Sequence, residues 1–453
     1  MLLRDVGASF GVTDPPSLAW LVAGYSLTVG TFILFSGRLG DVFGYKKMLI
    51  IGFCWFSLWS MIAGLSVYSN YTLAVFARVL QGIGPAIALP NALAVFGVAY
   101  PPGHRKAMVF AFFGAVAPVG AVVGGVFASL LEQFAWWPWM NWILSIWVAI
   151  LAVASIYTIP QLPPHAPFPQ GWKSWINTLD VPGAIVGVVS LILFNFAWTQ
   201  APIDGWGKPS VLVPLILGLL LFGCFLYFEF HFSTKPLLPF DAVNVDVAFV
   251  LAAMVCGWAT FGIWTLYLVQ MLQDIRGLSP LLTTAWICPV AIAGAAAAVL
   301  TGKMLGSWGV TPPTVMMISM LAFTTGAVLT ASVPSNQIYW GQIFVSVLVM
   351  PFGMDMSFPA ATLTLSNSVA KEHQGIGASL VNTIVNYGIA LGVGFAGTVE
   401  VNVHGEGHSE SDRLRGYRGG LWMGVGLGGL GLIIAGVCLW REKIHSKKAA
   451  VAK

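Results

Sequence analysis

Apolar residues in this chain fall in blocks long enough to cross a lipid bilayer, and the blocks recur from one end to the other. A membrane-crossing helix needs about 20 predominantly apolar residues. Thirteen such blocks can be read, at 20–37, 48–67, 71–97, 107–130, 138–159, 180–199, 210–231, 246–271, 281–302, 313–332, 337–362, 376–399 and 419–440. None alternates as a strand would, and in lipid only helices or closed barrels satisfy every backbone polar group. The sequence therefore predicts an all-α polytopic membrane protein. Composition agrees, with 57% hydrophobic and only 8% charged residues and a mean hydropathy of +0.83. A soluble domain carries roughly 25% charged residues, so this chain cannot cover a water-facing surface.

Several function classes find no support in the residues. The five cysteines (Cys54, Cys224, Cys256, Cys288, Cys438) all lie inside apolar blocks, and no CxxC pair or Cys/His cluster suggests a metal site. No cofactor pattern is present, and no Walker A sequence that would drive pumping by ATP. No His/Asp constellation supports an intramembrane enzyme. Met1–Leu18 lacks the basic start and apolar run of a cleavable signal peptide.

Charge placement sets the expected orientation. If the loop at 37–47 is cytoplasmic and the sides then alternate, fourteen of the 21 Lys and Arg residues fall inside and six outside, leaving Arg78 within the membrane. Such an excess marks the inner face. Trp136, Trp137, Trp139, Trp172, Trp206 and Trp440 cluster at block ends, as interfacial anchors do.

The chain also repeats itself. Gly11-Val12-Thr13 with Ala19-Trp20 matches Gly277-Leu278-Ser279 with Ala285-Trp286, and Pro85 matches Pro351 in the same register. Gly37, Leu39 and Gly44 match Gly302, Met304 and Gly309 one residue out of that register. Duplicated halves running parallel to each other are a transporter architecture that binds substrate near the midplane. The expected organisation is an N-terminal half at 1–160, a linker with two inserted helices at 161–245, a six-helix half at 246–441 and a basic tail at 442–453. The repeat calls for a helix before Gly11 to match the block at 246–271, and Met1–Phe10 is too short to supply it. The expectation is thus thirteen helices of fourteen, an N-terminally shortened chain, with its N-terminus outside and its C-terminus inside.

Four segments carry candidate chemistry. In Gly37-Arg38-Leu39-Gly40-Asp41-Val42-Phe43-Gly44-Tyr45-Lys46-Lys47, glycines permit a tight turn between charged residues; basic residues there also serve simply to set topology. In Arg78-Val79-Leu80-Gln81-Gly82-Ile83-Gly84-Pro85, a guanidinium lies inside an apolar block, which is costly unless paired or wet. Pro85 frees the carbonyl of Gln81 beside it. The plain alternative is an arginine reaching the outer interface. In 114–125, Pro118 with Gly120, Gly124 and Gly125 suits close helix packing, as well as a specialised role. Finally, Asp355 is the one carboxylate well within a later block, loosened by Pro359 one turn on. A carboxylate in a medium of low dielectric is driven toward its neutral form and can take up and release a proton; pairing with a neighbouring Lys or Arg is the alternative. Polar residues elsewhere in the blocks, Asn91, Gln270, Asn382 and Asn386, with Gln81, are candidates for a substrate cavity or for bonds between helices.

The 37–47 segment resembles the loop signature of the major facilitator superfamily, 78–85 its fourth-helix motif, and 114–125 the fifth-helix antiporter motif, with Ala121 at the position of that motif's proline. Over about 11–440 the chain resembles the fourteen-helix drug:proton antiporter branch, and within it the fungal aminotriazole- and boron-resistance exporters, on Ser26–Leu34, Trp136–Trp139, Gly353–Ala361 and Lys371–Gly375. The resemblance implies a two-halved helical fold. It implies gating by Gly37, Arg38, Asp41, Gly44, Lys46 and Lys47, with Asp41 seated at the start of the helix near Gly375, where a helix dipole favours a carboxylate. It further implies proton coupling through Asp355 and Arg78, and antiport through the 114–125 segment. A relative in this branch is associated with ammonium import, so uptake of a nutrient or ion stands beside proton-coupled export, and a transport-inactive receptor stands beside both. The expected partners are the bilayer, a small-molecule substrate and protons, not nucleic acid, for a monomer in the plasma membrane rather than the vacuolar membrane.

Overall fold

The computed structural model describes residues 3–12, 15–100, 104–160, 171–233, 237, 245–368, 374–403 and 409–451. Among these every long element is helical: α1 (Leu3–Ser9), α2 (Pro15–Phe43), α3 (Tyr45–Leu65), α4 (Tyr71–Ala99), α5 (His104–Phe134), α6 (Pro138–Thr158), α7 (Trp172–Leu179), α8 (Val181–Asp204), α9 (Pro209–His231), α10 (Val245–Gln270), α11 (Pro280–Ile287), α12 (Pro289–Leu305), α13 (Pro312–Ala331), α14 (Gln342–Ser368), α15 (Gln374–Val403) and α16 (Glu410–Val451). Eleven segments are long and apolar enough to cross a membrane on their described residues. α2 and α5, at 29 and 31 residues, complete the thirteen read from the sequence. The segment before α2 is the seven-residue α1.

One block departs from expectation by being broken. The run at 281–302 folds as α11 and α12, divided at Cys288 and Pro289. Pro289 has no N–H to give the preceding turn, and Cys288 donates to both Thr284 and Ala285 carbonyls as the first segment closes.

The repeat is visible in backbone conformation. Gly11 and Gly277 have φ of 68° and 64°, and Gly44 and Gly309 have φ of 95° and 63°. These positive φ values are open to glycine at little cost; Gly11 and Gly277 follow α1 and the Met271–Ile275 π turn, Gly44 directly precedes α3, and Gly309 lies three residues before α13. Pro85 and Pro351 likewise both lie inside long helices, α4 and α14.

Two compact units are present. The first comprises Met1–Lys106, Phe127–Asp241 and Val369–Asn386, and the second Ala107–Val126, Ala242–Ser368 and Tyr387–Lys453. In the first, α4 packs on α2 and α3, α3 on α6, and the inserted pair α8 and α9 on each other, with α8 also against α2. In the second, α13 packs on α14 and α16, α10 on α16, and α12 on α14. Lipid supplies no hydrophobic drive between helices, so small residues and buried hydrogen bonds hold such bundles. A side chain at Gly52 of α3 would lie 2.8 Å from the Gly84 carbonyl of α4, showing how closely those backbones approach. In the second unit, Trp264 Nε1 donates to Thr330 Oγ1 at 2.9 Å and Ser346 Oγ at 2.8 Å, joining three helices through one indole.

Candidate functional site

The loop signature sits at the end of α2 and the start of α3. Gly44 makes the turn between them at φ 95°. Asp41 and Arg38 are both buried, and Tyr45 Oη donates to Asp41 Oδ1 at 2.6 Å. Gly40 is needed for close approach, because a Cβ there would run into Asn91 Oδ1 of α4. Asn91, expected in a substrate cavity, is buried on this loop, with Nδ2 donating to Ile87 O at 2.7 Å and Ser36 O at 3.4 Å. Lys46 closes the C-terminus of α6, its Nζ donating to Ile156 O at 2.7 Å and Ile159 O at 2.6 Å, where carbonyls lack helical partners. Lys47 is exposed. The seat expected for Asp41, at the start of α15, involves residues 371–376, whose side chains lie outside the described part.

Arg78 of α4 is held within the first unit. Its Nε donates to Leu21 O at 3.1 Å, its Nη1 to Gln81 Oε1, and its guanidinium lies 4.8 Å over the Tyr25 ring. Gln81 is 0% exposed and passes the chain on, donating from Nε2 to Ser60 Oγ at 2.6 Å. In this structure Gln81 therefore faces Arg78 and Ser60 rather than an open cavity. A cation with a carbonyl, an amide oxygen and an aromatic face is well compensated at this depth, and three helices are fixed relative to Arg78 by it.

The most informative grouping is in the second unit. Asp355 of α14 points Oδ2 at the bare backbone of Gly294 in α12, where an added Cβ would lie 2.7 Å from that oxygen. The same Cβ would lie 2.6 Å from Cγ of Pro118 in α5. The carboxylate of α14 and the proline of the antiporter-like segment thus meet over one glycine. Asp355 Oδ2 is buried and has no hydrogen-bond partner among the described residues. No salt bridge to Asp355 occurs among them either. Its carbonyl, freed by Pro359, is approached by Thr301 Oγ1 at 3.4 Å, although the shorter bond of that hydroxyl is to Ala297 O at 2.8 Å. Of the α5 glycines expected to pack closely, a Cβ added at Gly125 would lie 3.3 Å from Thr284 Cγ2, whereas one at Gly120 or Gly124 would meet nothing within 4 Å.

Of the remaining cavity candidates, Gln270 ends α10 with Oε1 buried and without a hydrogen-bond partner among the described residues. Asn386 Nδ2 turns back to Asn382 O at 2.9 Å within α15. The sequence reading missed Glu229, two residues before the end of α9 and only 2% exposed. It also missed Asp180, Gly294 and Thr301. Asp180 had a legible signal, since it precedes Val181-Pro182 as a helix cap does; it accepts from Gly183 N at 3.3 Å. No group of three or more His, Cys, Asp or Glu that could hold a metal occurs among the described residues.

With this geometry in hand, comparison with known proteins is direct. The Major Facilitator Superfamily matches residues 1–393. The low affinity ammonium transporter of Saccharomyces cerevisiae is 50% identical over 447 residues, covering 98% of this chain and 85% of that protein. Efflux pump terG of Aspergillus terreus is 42% identical over 449 residues, 99% and 84% of the two chains. The aminotriazole resistance protein of Saccharomyces cerevisiae is 37% identical over 457 residues, 100% and 82%.

Proposed function

Because the chain belongs to the Major Facilitator Superfamily, and is a multi-pass membrane transporter rather than an enzyme, we propose that it exports a small toxic compound or secondary metabolite in exchange for protons. The observation that carries this reading is Asp355, whose buried Oδ2 closes on Gly294, the glycine that Pro118 also covers, with no cation beside it among the described residues. An ionised carboxylate at bilayer depth is expensive without a counter-charge or water. Protonation and exposure to an aqueous cavity both relieve it, and alternation between them moves one proton per cycle. That Pro118 and Asp355 both close on Gly294 supports linking that step to α5, because the two share the space over one residue of α12. In this reading Arg78 and Gln81 hold the first unit around α4, and Arg38 and Asp41 gate the loop between α2 and α3. The efflux pump and aminotriazole resistance names of two relatives favour export. The working form is a monomer in the plasma membrane.

A second reading, uptake of ammonium or a similar small ion, is favoured by the 50% identical ammonium transporter. One experiment separates them. The chain is expressed in drug-sensitive yeast and scored for growth on aminotriazole, borate and azoles, with and without a protonophore, and for uptake of labelled methylammonium. Export predicts protonophore-sensitive resistance to at least one toxicant. Methylammonium accumulation with no resistance would replace export by uptake.

A further inference from the structure

The two inserted helices carry buried acid where a passive insertion would need none. Glu229 of α9 and Asp180, which caps α8, are both buried. They close over the bare Cα of Gly183, where a side chain would lie 2.6 Å from Glu229 Oε1 and 2.7 Å from Asp180 Oδ2. Both also hold the chain that follows α9: Ser233 Oγ donates to Asp180 Oδ2 at 2.8 Å, and Leu237 N donates to Glu229 Oε2 at 2.7 Å. On the other side, α2 packs against α8, and Phe35 of α2 joins Ala184, Phe225 and Leu237 in one apolar cluster. Phe43 of α2 stacks on Trp175 of α7, ring centroids 5.2 Å apart. The nearby cation is Arg38, buried at the end of α2 and interacting electrostatically with Asp41, Asp180 and Glu229. Among the described residues, the other basic groups at this end are engaged elsewhere or in water, Lys46 on the α6 carbonyls, Lys47 exposed, and His231 exposed beside the Tyr227 carbonyl.

We propose that Asp180 and Glu229 are positioning residues for Arg38 of the loop signature, and that they hold Ser233 and Leu237. The inserted helices then belong to the gate of the first unit, and Ser233 and Leu237 after α9 are tied to that gate. Buried charges left without partners are costly, so neutralising one carboxylate loosens the hold on Arg38. This inference rests on the reading of the 37–47 segment as a gate, and the test keeps the two apart.

The test uses the full chain in a cysteine-free background with Val42→Cys, a site 1% exposed. The readout is the rate of modification by an impermeant maleimide in inside-out vesicles. Glu229→Gln keeps an oxygen for Leu237 N but removes the charge, so a purely structural role would leave the rate unchanged. The expected result is at least about fivefold faster modification in Glu229→Gln, the scale on which about 1 kcal/mol acts, with Glu229→Asp nearer the parent. In an Arg38→Gln background, Glu229→Gln should add nothing. Asp180→Asn, which also preserves its hydrogen-bond acceptor, should repeat the pattern and serves if the Glu229 variant does not fold. Parental rates in both carboxamide variants, or full additivity with Arg38→Gln, overturn the proposal. If Asp41→Asn speeds modification while the carboxamide variants do not, the gate stands and the clamp falls. If Asp41→Asn is also without effect, both fall.

Discussion

The meeting of α5, α12 and α14 over Gly294 makes a sharp steric prediction. Gly294→Ala places a methyl 2.6 Å from Pro118 Cγ, 2.7 Å from Pro118 Cβ and 2.7 Å from Asp355 Oδ2. Carbon contacts prefer about 3.5–4.0 Å, so each neighbour must yield by roughly 1 Å. The proline ring cannot rotate away, because it is part of the α5 backbone, and the Asp355 oxygen is buried. Overpacking of this kind typically costs about 1–3 kcal/mol. Gly120→Ala and Gly124→Ala are internal controls, since a side chain there meets nothing within 4 Å, and Ala is favoured over Gly in a helix by about 1 kcal/mol. Thermal unfolding in mild detergent, followed by tryptophan fluorescence, should therefore place Gly294→Ala below the parent and both controls at or above it. Proton-driven flux should fall in Gly294→Ala alone. If Gly294→Ala melts with the controls and transports as they do, the juxtaposition of Pro118 and Asp355 is wrong.

Other perturbations test the rest of the frame. Lys46→Met removes two hydrogen bonds from the end of α6 and should cost about 1–2 kcal/mol in a denaturant or thermal series, whereas exposed Lys47→Met should cost almost nothing. Gln81→Leu takes the amide oxygen from Arg78 and the donor from Ser60 and should destabilise by about 1–3 kcal/mol, with Gln81→Glu milder because the arginine keeps its acceptor. Gly44→Ala forces a side chain into φ 95° at a cost of about 1–3 kcal/mol; an unchanged melting temperature would show that the turn can be made another way.

What the sequence revealed follows from what lipid allows. A spanning helix announces itself by length and apolarity, so the thirteen blocks mark the helices to within about six residues at each end, except α16 (Glu410–Val451), which overruns the block at 419–440 on both sides. The Cys288–Pro289 break was not read, because a proline after about two helical turns is compatible with either a kink or a division. Arg78 stood out because a lone cation in an apolar block has few explanations, and Asp355 did so for the same reason. Orientation was harder. The Arg78–Gln81 pairing was legible, because the two lie one helical turn apart, but a helix that is apolar on all sides shows no face that must be buried, so nothing in the pattern said that Asn91 would turn to Gly40. Glu229 lies so close to the end of its block that it reads as an interfacial acid, and its contacts with Gly183 and the Leu237 N–H lie outside any local pattern. Pro118 and Asp355 close on the same glycine from more than two hundred positions apart, which no local pattern can encode.

Asp355 and the proton gradient provide the most direct test of proton-coupled export. The purified chain is reconstituted in liposomes with the best substrate of the yeast panel, and flux is measured with and without an imposed pH gradient, for the parent, Asp355→Asn and Asp355→Glu. The account predicts that the gradient accelerates the parent, that a protonophore abolishes the acceleration, and that Asp355→Asn exchanges substrate across the membrane at a rate indifferent to the gradient, with Asp355→Glu in between. Undiminished gradient-driven flux in Asp355→Asn would contradict it.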